Sequence, residues 1–379
     1  MSIERVCSSC FEDEDLRTWI REANGPRGCD ACGGFDSPTR KLEDICQFIQ
    51  SCLKTYWGFA VDQLPYESAE GGYLGTTWTT YELLVDEVGI SLPRDRNDRL
   101  FYALLGELTD ETWCEYDWLT LDADVALRTS WERLCETVKH KRRFFFHTDG
   151  TDDRDSYTAA SLLHVIARIS QSMGLIRELA PDTRLWRARP DIARCKRVTA
   201  ADFGPPPVQF ALQSNRMNPP GIPVLYLASS AQTALKETRA KEARIGQWRV
   251  VRPLRVLDLR RLPRVPGLFS NAARDHRLAL RFLHHFADDI MTPVARDQRV
   301  HVDYLPSQVV TEFLRDYAFD EGKVDGIAYG SSIHRIGWNV ALFAGPVDLG
   351  LENPEWGHAP APCLRFERSI RVRASRSGR

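Results

Sequence analysis

Four cysteines stand near the start of the chain in two matched pairs, Cys7 with Cys10 and Cys29 with Cys32, separated by 18 residues. Thiolates at that spacing are the ligands of a closed, tetrahedral, structural zinc site, and Gly28, Gly33 and Gly34 permit the tight turns that aim two sulfurs to one side. A second set of capable residues consists of polar groups set into apolar runs. In "NRMNPPGIPVLYLASSAQTALKETRA", Arg216, Tyr226 and Glu237 surround one strand and the opening of one helix. "RLWRARP" places Arg187 after two large apolar residues, and "YLPSQVVTEFLRDY" places Tyr304, Ser307 and Gln308 at the mouth of a helix. "DGIAYGSSIHRIGWNVALF" sets Tyr329 and Ser331 at a glycine-bounded turn between two strands, with His334 expected on its surface. Hydroxyls, amides and charges at strand ends are how proteins orient small ligands.

The elements that must position these groups follow from periodicity. Leu42, Ile45, Cys46, Ile49, Leu53, Tyr56, Trp57 and Ala60 recur at helical spacing and predict an amphipathic helix of about five turns. "NDRLFYALLGELT" and "DVALRTSWERLCETVKHKRRFFF" repeat the pattern, so residues 42–150 read as an α-helical bundle behind a zinc module at 1–41. The Asp- and Gly-rich "HTDGTDDRDS" is the expected boundary, followed by a connecting helix within 151–180. From Leu185 the texture changes to short β-branched runs, "VLYLA", "QWRVVRPLRVLDL" and "GIAYG", broken by Pro and Gly and by one long helix near 272–290. That is a mixed α+β domain over 181–360. Pro223 closes a turn before the 224–228 strand, and Ser229 or Ser230 caps the helix that carries Glu237. The tail, 361–379, is arginine-rich and is expected to be disordered past about residue 370.

Composition bounds the function. At 379 residues, 43% hydrophobic and 27% charged, the chain suits a soluble protein of two or three domains. Fifty Lys and Arg against 52 Asp and Glu give no polyanion-binding field, so nucleic acid is not favoured as a partner. No run approaches a membrane span or a signal peptide, and the expected compartment is the cytoplasm. There disulfides are rare, so the six cysteines outside the two pairs are expected to be small core residues.

The ordered second set resembles the RES-domain family, named for an arginine, a glutamate and a serine. The matching pieces are "LWR" with Arg187, "SNRMNPPGIPVLYLA" with Arg216 and Tyr226, "ALKE" with Glu237, and "GIAYGS" with Ser331, across roughly residues 183–350. Asn215 and Met217 depart from the Gly and Trp of the family's "GRWN" stretch, and a register error of one would exchange Ser331 for Ser332. The resemblance implies an ADP-ribosyltransferase-like fold and a toxin or antiphage effector that consumes NAD as its substrate. It would act as a glycohydrolase, a phosphorylase or an ADP-ribosyltransferase. On that reading Glu237 stabilises the oxocarbenium-like charge as the nicotinamide bond breaks, and Tyr226 stacks on the nicotinamide. Arg187 and Arg216 hold the pyrophosphate, while Ser331, Tyr329 and Gln308 contribute to the nucleotide site. The absence of a GxGxxG stretch argues against hydride transfer on a Rossmann fold.

The first half, through "CSSCFEDEDLRTWI", "GCDACG", "YESAEGGYLG" and "VKHKRRFFF", resembles the HEPN-type region attached to RES domains. Arg142 and His147 have the spacing of the HEPN nuclease motif, which keeps a ribonuclease with a nucleotide-binding RES half as the alternative, beside a non-catalytic zinc-ribbon adaptor. A cognate antitoxin or regulatory protein and a homo-oligomer are the partners the resemblance implies.

Overall fold

The computed structural model describes residues 2–69, 71–116, 121–146, 150–195, 197–292, 294, 299–354, 358 and 360–373. The chain divides into two compact units. One is Met1–Val125 with Arg264–Arg281, and the other is Ala126–Pro263 with Phe282–Arg379.

In the first unit, strands β1 (Arg5–Cys7) and β2 (Thr39–Lys41) pair antiparallel. Helix α1 (Glu14–Glu22) begins where the Asp13 carboxylate accepts from the Leu16 amide at 2.8 Å, which satisfies one of the first-turn donors. Helix α2 (Leu42–Tyr56) buries Leu42, Ile45, Cys46, Ile49 and Leu53. It stops a turn short of the expected length, because Trp57 is extended and opens strand β3 (Trp57–Phe59). The short helix α3 (Ala60–Gln63), the hairpin β4 (Tyr66–Glu67) and β5 (Gly72–Tyr73), and strand β6 (Trp78–Thr79) follow. Helix α4 (Thr80–Glu82) starts with a capping box between Thr79 and Glu82, and helix α5 (Arg99–Glu107) leads to strand β7 (Thr112–Glu115). Strand β7 pairs with both β3 and β6. The unit is therefore not the purely helical bundle the periodicity suggested. Strands of two to four residues are too short to interrupt a helical count, and Trp113 on β7 is among the most deeply buried side chains.

The later segment is integral to this unit. Phe269 is only 3% exposed and sits in the same core as Leu16, Ile49 and Trp113. Asp15 accepts from the Gly267 amide at 2.6 Å and pairs with Arg264 at 3.1 Å. Truncating a buried phenylalanine costs about 3–5 kcal/mol. Phe269→Ala is therefore expected to destabilise the first unit by that amount in urea titrations that follow tryptophan fluorescence, and an unchanged midpoint would detach the segment from this core.

The second compact unit takes in helix α6 (Ala123–Glu136) from Ala126 onward. Its Trp131 indole donates to Asp289 at 2.6 Å and meets Phe286 edge-on, both on helix α9 (Arg274–Met291). The connecting helix α7 (Ala159–Ser172) is shorter than expected. Gly174 adopts φ +65°, and the chain turns into strand β8 (Ile176–Leu179).

Strands β9 (Arg184–Arg189), β10 (Leu225–Ala228), β11 (Glu242–Val250) and β12 (Leu254–Asp258) follow along the chain, with helix α8 (Ala231–Thr238) between β10 and β11. After α9 come helices α10 (Val300–Asp303) and α11 (Leu305–Asp316) and strands β13 (Gly326–Gly330), β14 (Trp338–Leu342) and β15 (Leu364–Arg373). The eight strands form one sheet in the order β15-β11-β9-β10-β14-β13-β12-β8, parallel only at β12 and β13. Leu185, Leu225, Leu227, Trp248, Val256 and Val340 form the larger of its cores.

The tail corrects an expectation. Leu364–Arg373 pairs along the whole of β11, and Phe366 stacks on Phe203 with centroids 5.5 Å apart. Arg365, Arg368, Arg371 and Arg373 are interspersed with Leu364, Phe366, Ile370 and Val372, a mixture of charge and apolar groups that suits an edge strand. Residues 374–379 lie outside the described residues.

Candidate functional site

The cysteine quartet converges. Cys7 and Cys10 flank a single 3-10 turn, and Cys29 and Cys32 flank a second turn closed by the Gly33 amide on the Cys29 carbonyl at 2.8 Å. The sulfurs lie 3.7 Å apart for Cys7 and Cys10, 3.7 Å for Cys7 and Cys32, and 3.6 Å for Cys10 and Cys29. A metal with bonds of about 2.3 Å to four thiolates requires edges of about 3.8 Å, so the four residues fit a tetrahedral ion. Among the described residues this is the one cluster with that property.

Its electrostatics favour a cation. Cys10 is pushed up by its hydrogen bond with Cys29, and Cys29 is pulled down by accepting from Cys10 and Cys7. The Cys10 contact works to lower Cys7, but Cys29 and burial outweigh it and push Cys7 up to about 11. Four thiolates packed this closely repel one another, and a divalent ion is what allows all of them to ionise. The Cys7 amide donates to Cys29 Sγ at 3.3 Å, and a hydrogen bond to Cys32 raises the Arg94 guanidinium. These contacts spread the charge such a site would carry.

The second constellation is built on α8 and the β13–β14 turn. Ser230 caps α8 by accepting from the Thr233 amide at 3.0 Å, and Glu237 lies in the last turn of the helix. Both Ser331 Oγ and Asn339 Nδ2 donate to Glu237 Oε1, each at 2.7 Å. The other carboxylate oxygen, Oε2, takes no hydrogen-bond partner among the described residues. Ser331 is buried whereas Ser332 is exposed, and only Ser331 reaches the glutamate.

Tyrosines and an arginine surround this pair. The register places Tyr226, Asn339 and Tyr329 on one face of the sheet. Tyr226 Oη donates to Asn218 Oδ1 at 2.8 Å and accepts from the Met217 amide at 3.1 Å, so the phenol holds the loop that bears Arg216. The Arg216 guanidinium lies 5.8 Å from the centre of the Tyr329 ring. Burial raises both phenols, with Tyr304 and Arg216 also close enough to act on each. Tyr329 is only 8% exposed, and its hydroxyl has no partner among the described residues. The hydroxyl is not among the fully buried atoms that lack a partner, so it keeps contact with solvent and is open to a ligand.

Gln308 is tied to the loop through its amide nitrogen. That nitrogen donates to Ser214 Oγ, to the Asn215 carbonyl at 2.7 Å and to the Asn218 carbonyl at 3.0 Å, so its N–H groups secure the loop. Ser307 does likewise through the Arg216 carbonyl at 2.6 Å.

Arg187 is half-buried on β9 and donates to the Gly204 carbonyl at 2.5 Å, an acceptor shared with Arg189. Burial and then Arg189 lower its guanidinium, and Tyr226 is the neighbour that acts to raise it. No carboxylate pairs with Arg187 among the described residues, and it makes no hydrogen bond to Glu237 or Ser331. Asp191 and Asp202 are near enough to act on Arg189, so of the two arginines Arg187 is the one on which no carboxylate acts, and it is the better place for an anion.

Asn339 and Arg189 escaped the sequence reading, which took "NVALF" as plain strand and stopped at the first arginine of "RAR". Period-2 alternation would have set Arg189 on the same side of its strand as Arg187, whereas Asn339 meets Tyr329 only through the register of β13 with β14. His334, expected on the surface, is buried at 8% exposure. Of the nuclease pair, His147 lies outside the described residues, while the Arg142 amide closes the turn after α6 on the Thr137 carbonyl.

No helix among the described residues is long and apolar enough to cross a membrane. No curated protein matches the chain. Two family profiles do: HEPN/RES N-terminal domain 1 over residues 22–152 and the RES domain over residues 184–361. The second spans β9, α8 and the turn with Ser331, and therefore every contact made by Glu237. The chain is thus a RES-domain protein with an N-terminal HEPN/RES domain.

Proposed function

We propose that the RES half cleaves the bond between nicotinamide and ribose in NAD, with Glu237 as the group that meets the charge developing on the ribose. The observation that carries this reading is the geometry of one carboxylate. Two donors fix Oε1 and leave Oε2 open, which suits a group that must hold a ribose hydroxyl and face a cation at the same time. As the C–N bond breaks, its electron pair leaves with nicotinamide and the ribose becomes oxocarbenium-like. Tyr226, Tyr329 and Arg216 supply flat, partly desolvated surfaces beside it, and the free Tyr329 hydroxyl offers the carboxamide or a ribose oxygen a donor. Arg187 and Arg189 suit the pyrophosphate. The acceptor is water, inorganic phosphate or a protein side chain. The first unit, with structural Zn²⁺ held by Cys7, Cys10, Cys29 and Cys32, restrains an activity that would otherwise exhaust the NAD of its own cell.

The test is incubation of purified protein with NAD, followed by chromatography for nicotinamide. ADP-ribose, its 1-phosphate and labelled protein mark the three acceptors. Intact NAD after prolonged incubation with each acceptor would overturn the reading. A phosphate clamp acts on ground and transition states alike. Arg187→Ala is therefore expected to raise KM about 10- to 100-fold, the worth of a lost charge-assisted contact, with kcat little changed in initial-rate measurements. A fall in kcat at constant KM would move Arg187 from the phosphates to the reacting centre.

A further inference from the structure

Thr233 and His334 are spent on a contact that helix capping does not need. The Ser230 hydroxyl already accepts from the Thr233 amide, which completes the cap. Yet the Thr233 hydroxyl, on a fully buried side chain, lies 2.9 Å from His334 Nδ1 and 2.8 Å from Ser230 Oγ. Burying an imidazole and a hydroxyl is unfavourable unless each satisfies the other, so their pairing has a consequence elsewhere.

That consequence is visible one bond away. The backbone amide of His334 donates to Ser331 Oγ at 2.9 Å, and the Ile333 amide approaches the same oxygen at 3.3 Å. With its acceptor positions occupied by these amides, Ser331 has its single proton left for Glu237. The turn is closed on itself by the Ser331 amide on the Gly337 carbonyl at 3.0 Å and the Gly337 amide on the His334 carbonyl at 2.7 Å. Gly337 must be glycine for this approach. A Cβ there would stand 2.3 Å from Thr233 Oγ1 and 2.9 Å from His334 Nδ1.

Thr233 and Glu237 are one helical turn apart on α8, so the helix grips the 331–337 turn twice along one side. We infer that Thr233 and His334 are positioning residues, a buried clamp that fixes the turn against α8 and thereby sets the direction of the Ser331 hydrogen bond to Glu237. The inference rests on the proposed NAD-cleaving reading. It adds two residues that touch no substrate.

The test compares Thr233→Val and His334→Ala with the conservative variants Thr233→Ser and His334→Asn, which keep a hydroxyl and a polar atom near the Nδ1 position. Small misplacements of a reacting group cost up to about 10²-fold in rate. Thr233→Val and His334→Ala are expected to lower kcat about 10- to 100-fold with NAD affinity, by calorimetry, within about twofold of the parent. Thr233→Ser and His334→Asn should recover most of the rate. Unchanged kcat in Thr233→Val, a parallel loss of kcat and affinity, or no rescue would overturn the clamp. Should His334→Ala fail to fold by circular dichroism, the nearly isosteric Thr233→Val decides alone. Hydrogen exchange provides an arm that needs no turnover, since the amides of 331–337 should exchange faster in Thr233→Val. Unaltered exchange there would overturn the clamp even if the parent released no nicotinamide, a result that by itself would overturn only the proposed function.

Discussion

Glu237→Gln is expected to release nicotinamide about 10²- to 10³-fold more slowly than the parent, the usual cost of removing one preorganised electrostatic group. The substitution is nearly isosteric, and a glutamine carbonyl can still accept from Ser331 and Asn339, so the neighbouring hydrogen bonds survive while the charge is lost. Because that charge matters most when the ribose becomes cationic, kcat should fall much more than NAD affinity. Circular dichroism and calorimetry on the same preparation separate the two. A variant that cleaves NAD at close to the parent rate would reduce the Glu237 contacts to a helix end tied to a turn.

Removal of the metal from the cysteine quartet is expected to unfold the first unit. The quartet ties β1 and the turn after it to the loop at 29–34, beside the hydrogen bonds that Asp30 accepts from the Glu4 and Arg5 amides. Structural zinc contributes about 10–16 kcal/mol of apparent binding energy in small modules, as much as or more than the whole stability of an ordinary domain. Elemental analysis should find one zinc per chain. Cys29→Ser, or a strong chelator, should lower the melting temperature by at least about 10 °C, since a unit of this size loses roughly 2–4 °C per kcal/mol. An unchanged melting curve with no metal in the preparation would show that the four thiols are only close-packed.

The two sites differ in how much of them the sequence carries. The quartet is legible because its spacing is local, and two short turns suffice to bring the sulfurs together. Glu237 and Ser331 are 94 positions apart, and no periodicity links them. Only the recurrence of the ordered pieces in a known family joins them before the fold is seen. Once β13 and β14 are paired, Asn339 falls opposite Tyr329 by register alone, a fact available to nobody who lacks the pairing. Helices such as α2 and α9 were legible from their apolar stripes, whereas β3, β6 and β7 were hidden by their length. The Leu364–Arg373 strand was hidden by its charge, because arginine interspersed along an edge looks the same as arginine in a solvated tail until its partner strand is known.

The first unit is completed by Arg264–Arg281, and this has a consequence for the newborn chain. On the ribosome, Phe269 emerges long after the core that receives it, so the N-terminal portion must wait for a segment encoded in the later half. Glu237 emerges before that segment, but Ser331 and Asn339 emerge after it. At about 5–20 residues per second, the 94 residues from Glu237 to Ser331 take roughly 5–20 s to translate. Throughout that interval the glutamate exists without the partners that orient it, and every piece of the first unit is available before they arrive. The order of translation thus makes the orienting contacts of the carboxylate among the last features to form, a built-in delay for a protein proposed to destroy a cofactor its own synthesis depends on.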